Sequence, residues 1–239
     1  MDKTGNQQLL DFELAPGWIG LFPRVTGRTF RLLIHESVDA EAWRGIEVAS
    51  QDAASAAHLL GASVEIDRGN AAIAGVAGIV TGLDRGSSQP RVPVVTVTDT
   101  PRPECSSMFA VAPCADTRRA ILAAWRTSHP EMTGEFTLEE WHEDLRSHGA
   151  AKLNERFLQV QRCPMTSAAW RAYFAVKALT ETALRRATAS DRSRALLNAE
   201  LDGHKGVRLV FDRATRMLRQ PLYVVSHSAG GSQLVGEVR

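Results

Sequence analysis

Cysteine is scarce in this 239-residue chain, with Cys105, Cys114 and Cys163 the whole complement. Three thiols are too few for a disulfide framework. Cys105 and Cys114 read equally as a bridge formed in an oxidising compartment or as two partly buried thiols. No CxxC occurs, and the seven histidines stand at no zinc-ligand spacing, so no metal site is expected. Long apolar runs are missing as well. Nowhere do about 18 apolar residues follow one another, the length that a membrane-spanning helix needs. An excess of one charge is also missing. Lys and Arg number 28 against 27 Asp and Glu, a net charge of +1, so no global basic field draws the chain to nucleic acid. Residues 1–5 show no cationic stretch followed by an apolar one. The chain is therefore either cytosolic or what remains after a secretory leader is cleaved.

What is present is an ordinary globular composition, 44% hydrophobic and 23% charged, at a length suited to one large domain or two small ones. Residues 1–29 show no clear period and read as an N-terminal arm. From Phe30 a short apolar run predicts a buried strand. Asp39 opens a helix through about Leu60, with an apolar stripe of Trp43, Ile46, Val48, Ala53, Ala57 and Leu60 and with Gly61 as its stop. Further strands are expected from Ala62, from Val76, over Val92 to Thr98, and from Met108. Continuous apolar strands alternating with helices predict an α/β fold: an open, mainly parallel sheet with helices on both faces. After Thr117 the pattern turns helical, over Arg118 to Ser128, over Leu138 to Gln161 with a break near Gly149, and over Ser167 to Ala189. Val207 to Phe211 and Leu222 to Ser226 predict a hairpin joined by a turn at Arg213 to Met217. Residues 229–239 read as a frayed tail.

In an open parallel sheet, ligands sit outside the carboxyl ends of the strands. That rule selects His35 to Asp39, Gly82 to Ser88, Thr98 to Glu104 and Pro113 to Thr117. Backbone amides, hydroxyls and the Arg85 guanidinium make Gly82 to Ser88 fit a carboxylate or phosphate, although an ordinary solvated loop has the same composition. Arg102 could supply a second cation there. No Walker A or GxGxxG pattern occurs. Trp141 and His142 among Glu139, Glu140, Glu143 and Asp144 suit a metal or acid–base site less well than a solvated helix face with one buried ring. Ser226-His227-Ser228 is not a G-x-S-x-G elbow. Arg185, Arg186, Arg192 and Arg194 read as cations at a helix end. No nucleophile–base pair, metal set or cofactor fingerprint stands out, so no enzyme is expected.

Several stretches, in order, resemble one family: PRPEC from Pro101, FAVAP from Phe109, HGAAKLNERF from His148, RCPMT from Arg162, AWRAYFAVKAL from Ala169, LDGHKGVRLVF from Leu201 and LRQPLYVV from Leu218. Over most of residues 30–228 the chain resembles the type I periplasmic solute-binding proteins of ABC transporters, the branched-chain amino-acid-binding class. It looks closest to those associated with pyrroloquinoline quinone (PQQ)-dependent alcohol dehydrogenase systems. In that frame residues 30–124 are the first part of an α/β lobe, and 148–228 bring returning helices and a hairpin that complete it. Residues 125–147 are a short remnant in place of a second lobe, too short for a core of its own.

The resemblance implies a periplasmic location, an ABC permease or a periplasmic PQQ-dependent dehydrogenase as partner, and a small anionic ligand, PQQ foremost. A homodimer is compatible with it. PQQ is a flat tricarboxylate, so its site needs several cations and an aromatic platform. Arg85, Arg102, Lys152 and Lys205 are the candidate cations, with Ser87 and Thr98 beside them. Trp43 or Trp141 is the candidate platform. An amino-acid ligand would instead need one carboxylate clamp and an acid for its ammonium, for which Glu36 or Asp99 is available. A third reading is a lobe-deleted interaction module without a ligand.

Overall fold

A computed structural model describes residues 27–70, 75–83, 92–99, 107–185, 191–228 and 230–239. Five strands, β1 (Thr29–Ile34), β2 (Ser63–Arg68), β3 (Gly78–Thr81), β4 (Val94–Thr96) and β5 (Met108–Ala110), form one parallel sheet in the order β2-β1-β3-β4-β5. Leu32 lies opposite Gly78, Val80 opposite Val95, and Val95 opposite Phe109. Every residue of β3, β4 and β5 is buried, as continuous apolar strands require when both faces are covered. β2 lies at an edge and is partly exposed along its length. The order reverses between β1 and β3, which makes their carboxyl ends the topological switch point.

Helix α1 (Ala40–Leu59) starts where the Asp39 carboxylate accepts from the Ala42 N–H at 2.7 Å. It stops at Gly61, whose φ of +68° suits glycine. Its buried face meets α4 (Ser167–Arg185), a helix buried on almost every side because it lies between α1 and the sheet. Gly45 makes their contact possible. A Cβ there would fall 1.9 Å from the Ala169 carbonyl oxygen. Helix α3 (Ala150–Gln161) adds Leu153 and Phe157 to the same core. No helix among the described residues is long and apolar enough to cross a membrane.

A second, antiparallel sheet stands apart in the order β11-β10-β6, from β6 (Glu135–Glu139), β10 (Leu222–Ser228) and β11 (Gly231–Val238). Helix α2 (Ala115–Ser128) covers it, and Trp125, Phe136, Leu138, Leu222 and Val224 form a small core between them. A third sheet, β7-β8-β9, comprises β7 (Leu201–Asp202), β8 (Arg208–Phe211) and β9 (Leu218–Arg219). It follows the short helix α5 (Arg192–Leu197).

Three expectations about elements change. Residues 135–139 are a strand, not the start of a helix ending at Gln161, because Phe136 and Leu138 alternate inward onto Trp125 and β10. The break near Gly149 is present, with φ +90° ahead of α3. Val207 to Phe211 and Leu222 to Ser226 do not pair with each other. The former pairs with β9 across the predicted turn, whereas the latter pairs with β6 and β11. Residues 231–238 of the expected tail form a strand, held by a ladder to β10 although its own side chains are mostly exposed. The segment 125–147 therefore does not stand alone, since residues 222–238 complete a sheet with it.

Gly45→Ala should force α1 and α4 apart and destabilise the fold by about 1–3 kcal/mol, the usual cost of overpacking a core. Urea unfolding should show a lower midpoint at an unchanged slope.

Candidate functional site at the carboxyl edge of the parallel sheet

The loops after β1 and β3 touch at the switch point. The Gly82 N–H donates to the Ser37 hydroxyl at 3.0 Å, and that hydroxyl lies 3.3 Å from the Thr81 hydroxyl. A Cβ on Gly82 would come within 2.4 Å of the Ser37 carbonyl, so only glycine permits this approach. The buried Thr81 hydroxyl accepts from the Leu83 N–H at 3.0 Å, and the Thr96 hydroxyl donates to the Leu83 carbonyl at 2.8 Å. Hydroxyl groups thus tie the ends of β1, β3 and β4 into one rim.

Two guanidinium groups meet at this edge. Arg171, in the first turns of α4, is 5% exposed and pairs with Asp99, three residues beyond β4. Arg118, in the first turns of α2, lies 3.6 Å from the same Asp99 oxygen. It also donates to the Leu138 carbonyl and pairs with Glu140, which follows β6 and is fully buried. The network therefore joins the carboxyl edge of the parallel sheet to the second sheet. It is incompletely satisfied. The Arg171 Nε and Nη1, the Arg118 Nε and one Glu140 oxygen have no hydrogen-bond partner among the described residues. Burial brings the Arg171 pKa down to about 10, against the upward pull of Asp39 and Glu41 at the start of α1. Burial pushes Glu140 up, opposed by Arg118 and Lys205. Helix α2 begins at Cys114, a free thiol that makes no cap hydrogen bond. Its sulfur lies 3.1 Å from the Thr117 hydroxyl, and this contact draws its pKa below the ordinary value.

The structure gathers only some of the residues expected from sequence. Thr98 and Asp99 lie at this edge, and the Thr98 N–H donates to the Thr96 hydroxyl at 3.4 Å. Glu36 is exposed beside it and accepts from the Asn70 amide. Trp43 is half-buried on α1, packed against the edge of the core. Its indole N–H donates to Glu47 at 3.1 Å, and Arg68 already covers its ring at 4.8 Å. Trp141 is no platform for a ligand. It is 2% exposed, stacked on Trp170 at 5.8 Å, with its N–H donating to Asn154. Lys152 stands on the exposed face of α3. Lys205 is not a crevice cation either. It is buried beneath the loops, 4.0 Å from the centre of the Trp170 ring, and donates to Gln220 and the Pro221 carbonyl. Burial takes its pKa well below the usual lysine value. Arg85, Ser87, Arg102 and Cys105 lie outside the described residues.

Among the described residues no group of three His, Cys, Asp or Glu could hold a metal. His142 sits in the loop after β6, 3.2 Å from Ser232, and is not part of a helix face. Arg171 and Arg118 were missed from the sequence because both sit inside helical segments. Arg171 left a signal nonetheless, as the one charge in an apolar run from Ala168 to Val176.

Glu140 binds a proton more tightly folded than unfolded. Its stabilising contribution is complete below its ordinary pKa of 4.5 and falls as pH rises through the raised value. The wild-type protein should therefore lose stability relative to Glu140→Gln as pH rises above 4.5, measured by urea unfolding at each pH.

No family model and no curated protein sequence matches the chain. Solved structures do. An ABC transporter substrate-binding protein from Desulfitobacterium hafniense matches with a TM-score of 0.70 at 11% identity, over 87% of this chain and 100% of that one. The leucine-binding protein LivK from Thermotoga maritima matches with a TM-score of 0.65 at 10% identity, over 88% and 98%. An R. palustris solute-binding protein in complex with 4-hydroxybenzoate matches with a TM-score of 0.52 at 9% identity, over 88% and 97%. At such identities the likeness is one of fold: the mixed α/β architecture with a parallel central sheet is that of a type I periplasmic-binding-protein lobe.

Proposed function

We propose that the chain is a solute-binding protein that captures a small organic anion by its carboxylate, without chemical change, at the carboxyl edge of the parallel sheet. The observation that carries this reading is the pair of guanidinium groups there. Arg171 is buried, its ion pair is with the largely exposed Asp99, and its Nε has no hydrogen-bond partner among the described residues, a state that further acceptors would relieve. A ligand carboxylate offers two oxygens to Arg171 and Arg118 and makes charge-assisted hydrogen bonds with them. The uncapped start of α2 favours the same charge. Support comes also from the fold, which is shared with ABC transporter substrate-binding proteins.

Within this reading the ligand is PQQ, whose three carboxylates suit a cationic edge. The protein would hand it to an ABC permease or to a PQQ-dependent dehydrogenase in the periplasm, acting alone or as a homodimer. Trp141 has no part in this, and Trp43 would have to exchange Arg68 for the quinone ring.

Calorimetric titration with benzoate and with PQQ tests both levels. Saturable binding of benzoate supports the carboxylate site, and tighter binding of PQQ supports the finer reading. Arg171→Gln should weaken either ligand by about 1–3 kcal/mol, as expected when one side of a charge-assisted pair is removed. If no carboxylate binds at millimolar concentration, the site is not a carboxylate receptor.

A further inference from the structure

Two loops outside the network at the cationic edge interlock through histidines. One, ahead of α3, carries His148 and Gly149. The other, between β7 and β8, carries His204 and Gly206. All four residues take left-handed backbone, with φ of +56° at His148 and +61° at His204. Each glycine makes room for the other loop's imidazole. A Cβ on Gly149 would come 3.2 Å from the His204 Nδ1, and one on Gly206 would collide with the His148 ring. Beneath the loops, the His204 Nε2 lies 3.5 Å from the hydroxyl of the buried Tyr173, which donates to Asp52 at 3.0 Å. Because the phenol proton is given to Asp52, the phenol oxygen can only accept, and His204 meets it as an Nε2–H donor. The next residue, Lys205, has its ammonium buried on Trp170.

We propose that the loop between β7 and β8 is an acid-released latch, closed over Trp170 while His204 is neutral and opened when His204 takes a proton from solvent. The acids around the ring are already engaged. Asp52 on α1 is paired with Arg156 on α3 at 2.7 Å and accepts from Tyr173. Glu181 on α4 pairs with Lys177 of the same helix, and Asp202 in the loop accepts from the His204 backbone N–H. Lys177 opposes a second positive charge beside it. Burial, and after it the charge of Lys177, hold the His204 pKa below its ordinary 6.5 against the pull of Asp202, Asp52 and Glu181. The closed loop therefore binds the proton less tightly than the open one, and it loses stability as pH falls below 6.5. Opening returns the imidazole to water and carries Lys205 off Trp170. This inference is independent of the carboxylate-binding reading above.

Hydrogen exchange of the full chain, read by mass spectrometry over residues 202–207 and corrected for intrinsic rates, tests it at about pH 8 and about pH 5. Protection of the loop in the wild type should fall about tenfold between the two. His204→Gln, whose side-chain amide can still donate to Tyr173, should lose no more than about twofold. Wild-type protection that is the same at both pH values overturns the inference. A loss as large in His204→Gln as in the wild type also overturns it, because Lys205 or another group then carries the effect. NMR titration of the His204 ring in the wild type gives a reading that needs no variant: a midpoint below 6.5 is expected, and a midpoint at or above that value overturns the latch.

Discussion

The close approach of α1 to α4 is the constraint on which the rest of the structure depends. With only hydrogen at Gly45, the backbone of α1 packs onto the Ala169 carbonyl, and the first turns of both helices come together near the carboxyl ends of β1 and β4. That contact brings Arg171 out of an otherwise apolar helix to the place where Asp39, Glu41 and Asp99 converge. A side chain at residue 45 would separate the helices and withdraw the guanidinium from the edge. The packing of two helices thus sets the electrostatics of the loops above them.

Those electrostatics are a balance of desolvation against pairing. Removing a guanidinium or a carboxylate from water costs several kcal/mol per ion unless a counter-ion with good geometry stands beside it. Here Arg171, Arg118, Asp99 and Glu140 form a chain of alternating charge, yet four of their polar atoms lack hydrogen-bond partners among the described residues. A purely structural network would be expected to close more completely. An incomplete one is compatible with an anion that arrives from outside, and its position at the carboxyl edge of the parallel sheet is where such folds receive ligands. Lys205 shows the contrasting solution. Its ammonium is turned inward onto Trp170 and Tyr223 and held by Gln220 and a carbonyl, so it stabilises the interior and offers nothing to a ligand.

The second sheet changes the meaning of the short middle segment. Read alone, residues 125–147 are too few to form a core. With β10 and β11 paired onto β6, and with Trp125 of α2 against Phe136, they belong to a small three-stranded unit with an apolar interior. Arg118 and Glu140 link that unit to the parallel sheet. The cationic edge is accordingly bordered by both sheets rather than by one.

Much of the fold was legible in the residues themselves. The continuous apolar strands, the Asp39 cap with its Gly61 stop, and the apolar helix from Ser167 report local preferences and burial on two faces, which leave strong periodic signatures. Carboxyl-end loops were legible for the same reason, since they lie between such elements, and Thr98 and Asp99 lie in one of them. Other features depended on partners distant in the chain. β6 alternates for only five residues and β11 leaves most of its side chains exposed, and pairing with β10 holds both as strands. Trp141 and Lys205 have the chemistry of ligand-binding residues, and only the stacking on Trp170 turns both inward. Arg171 has the appearance of one more charge on a helix until α1, through Gly45, brings the helix against the ends of the strands. Composition and periodicity determined the sheet and its loops. Which charges face one another across those loops was decided by packing, because a side chain's direction follows from the element it rides on and from what that element is pressed against.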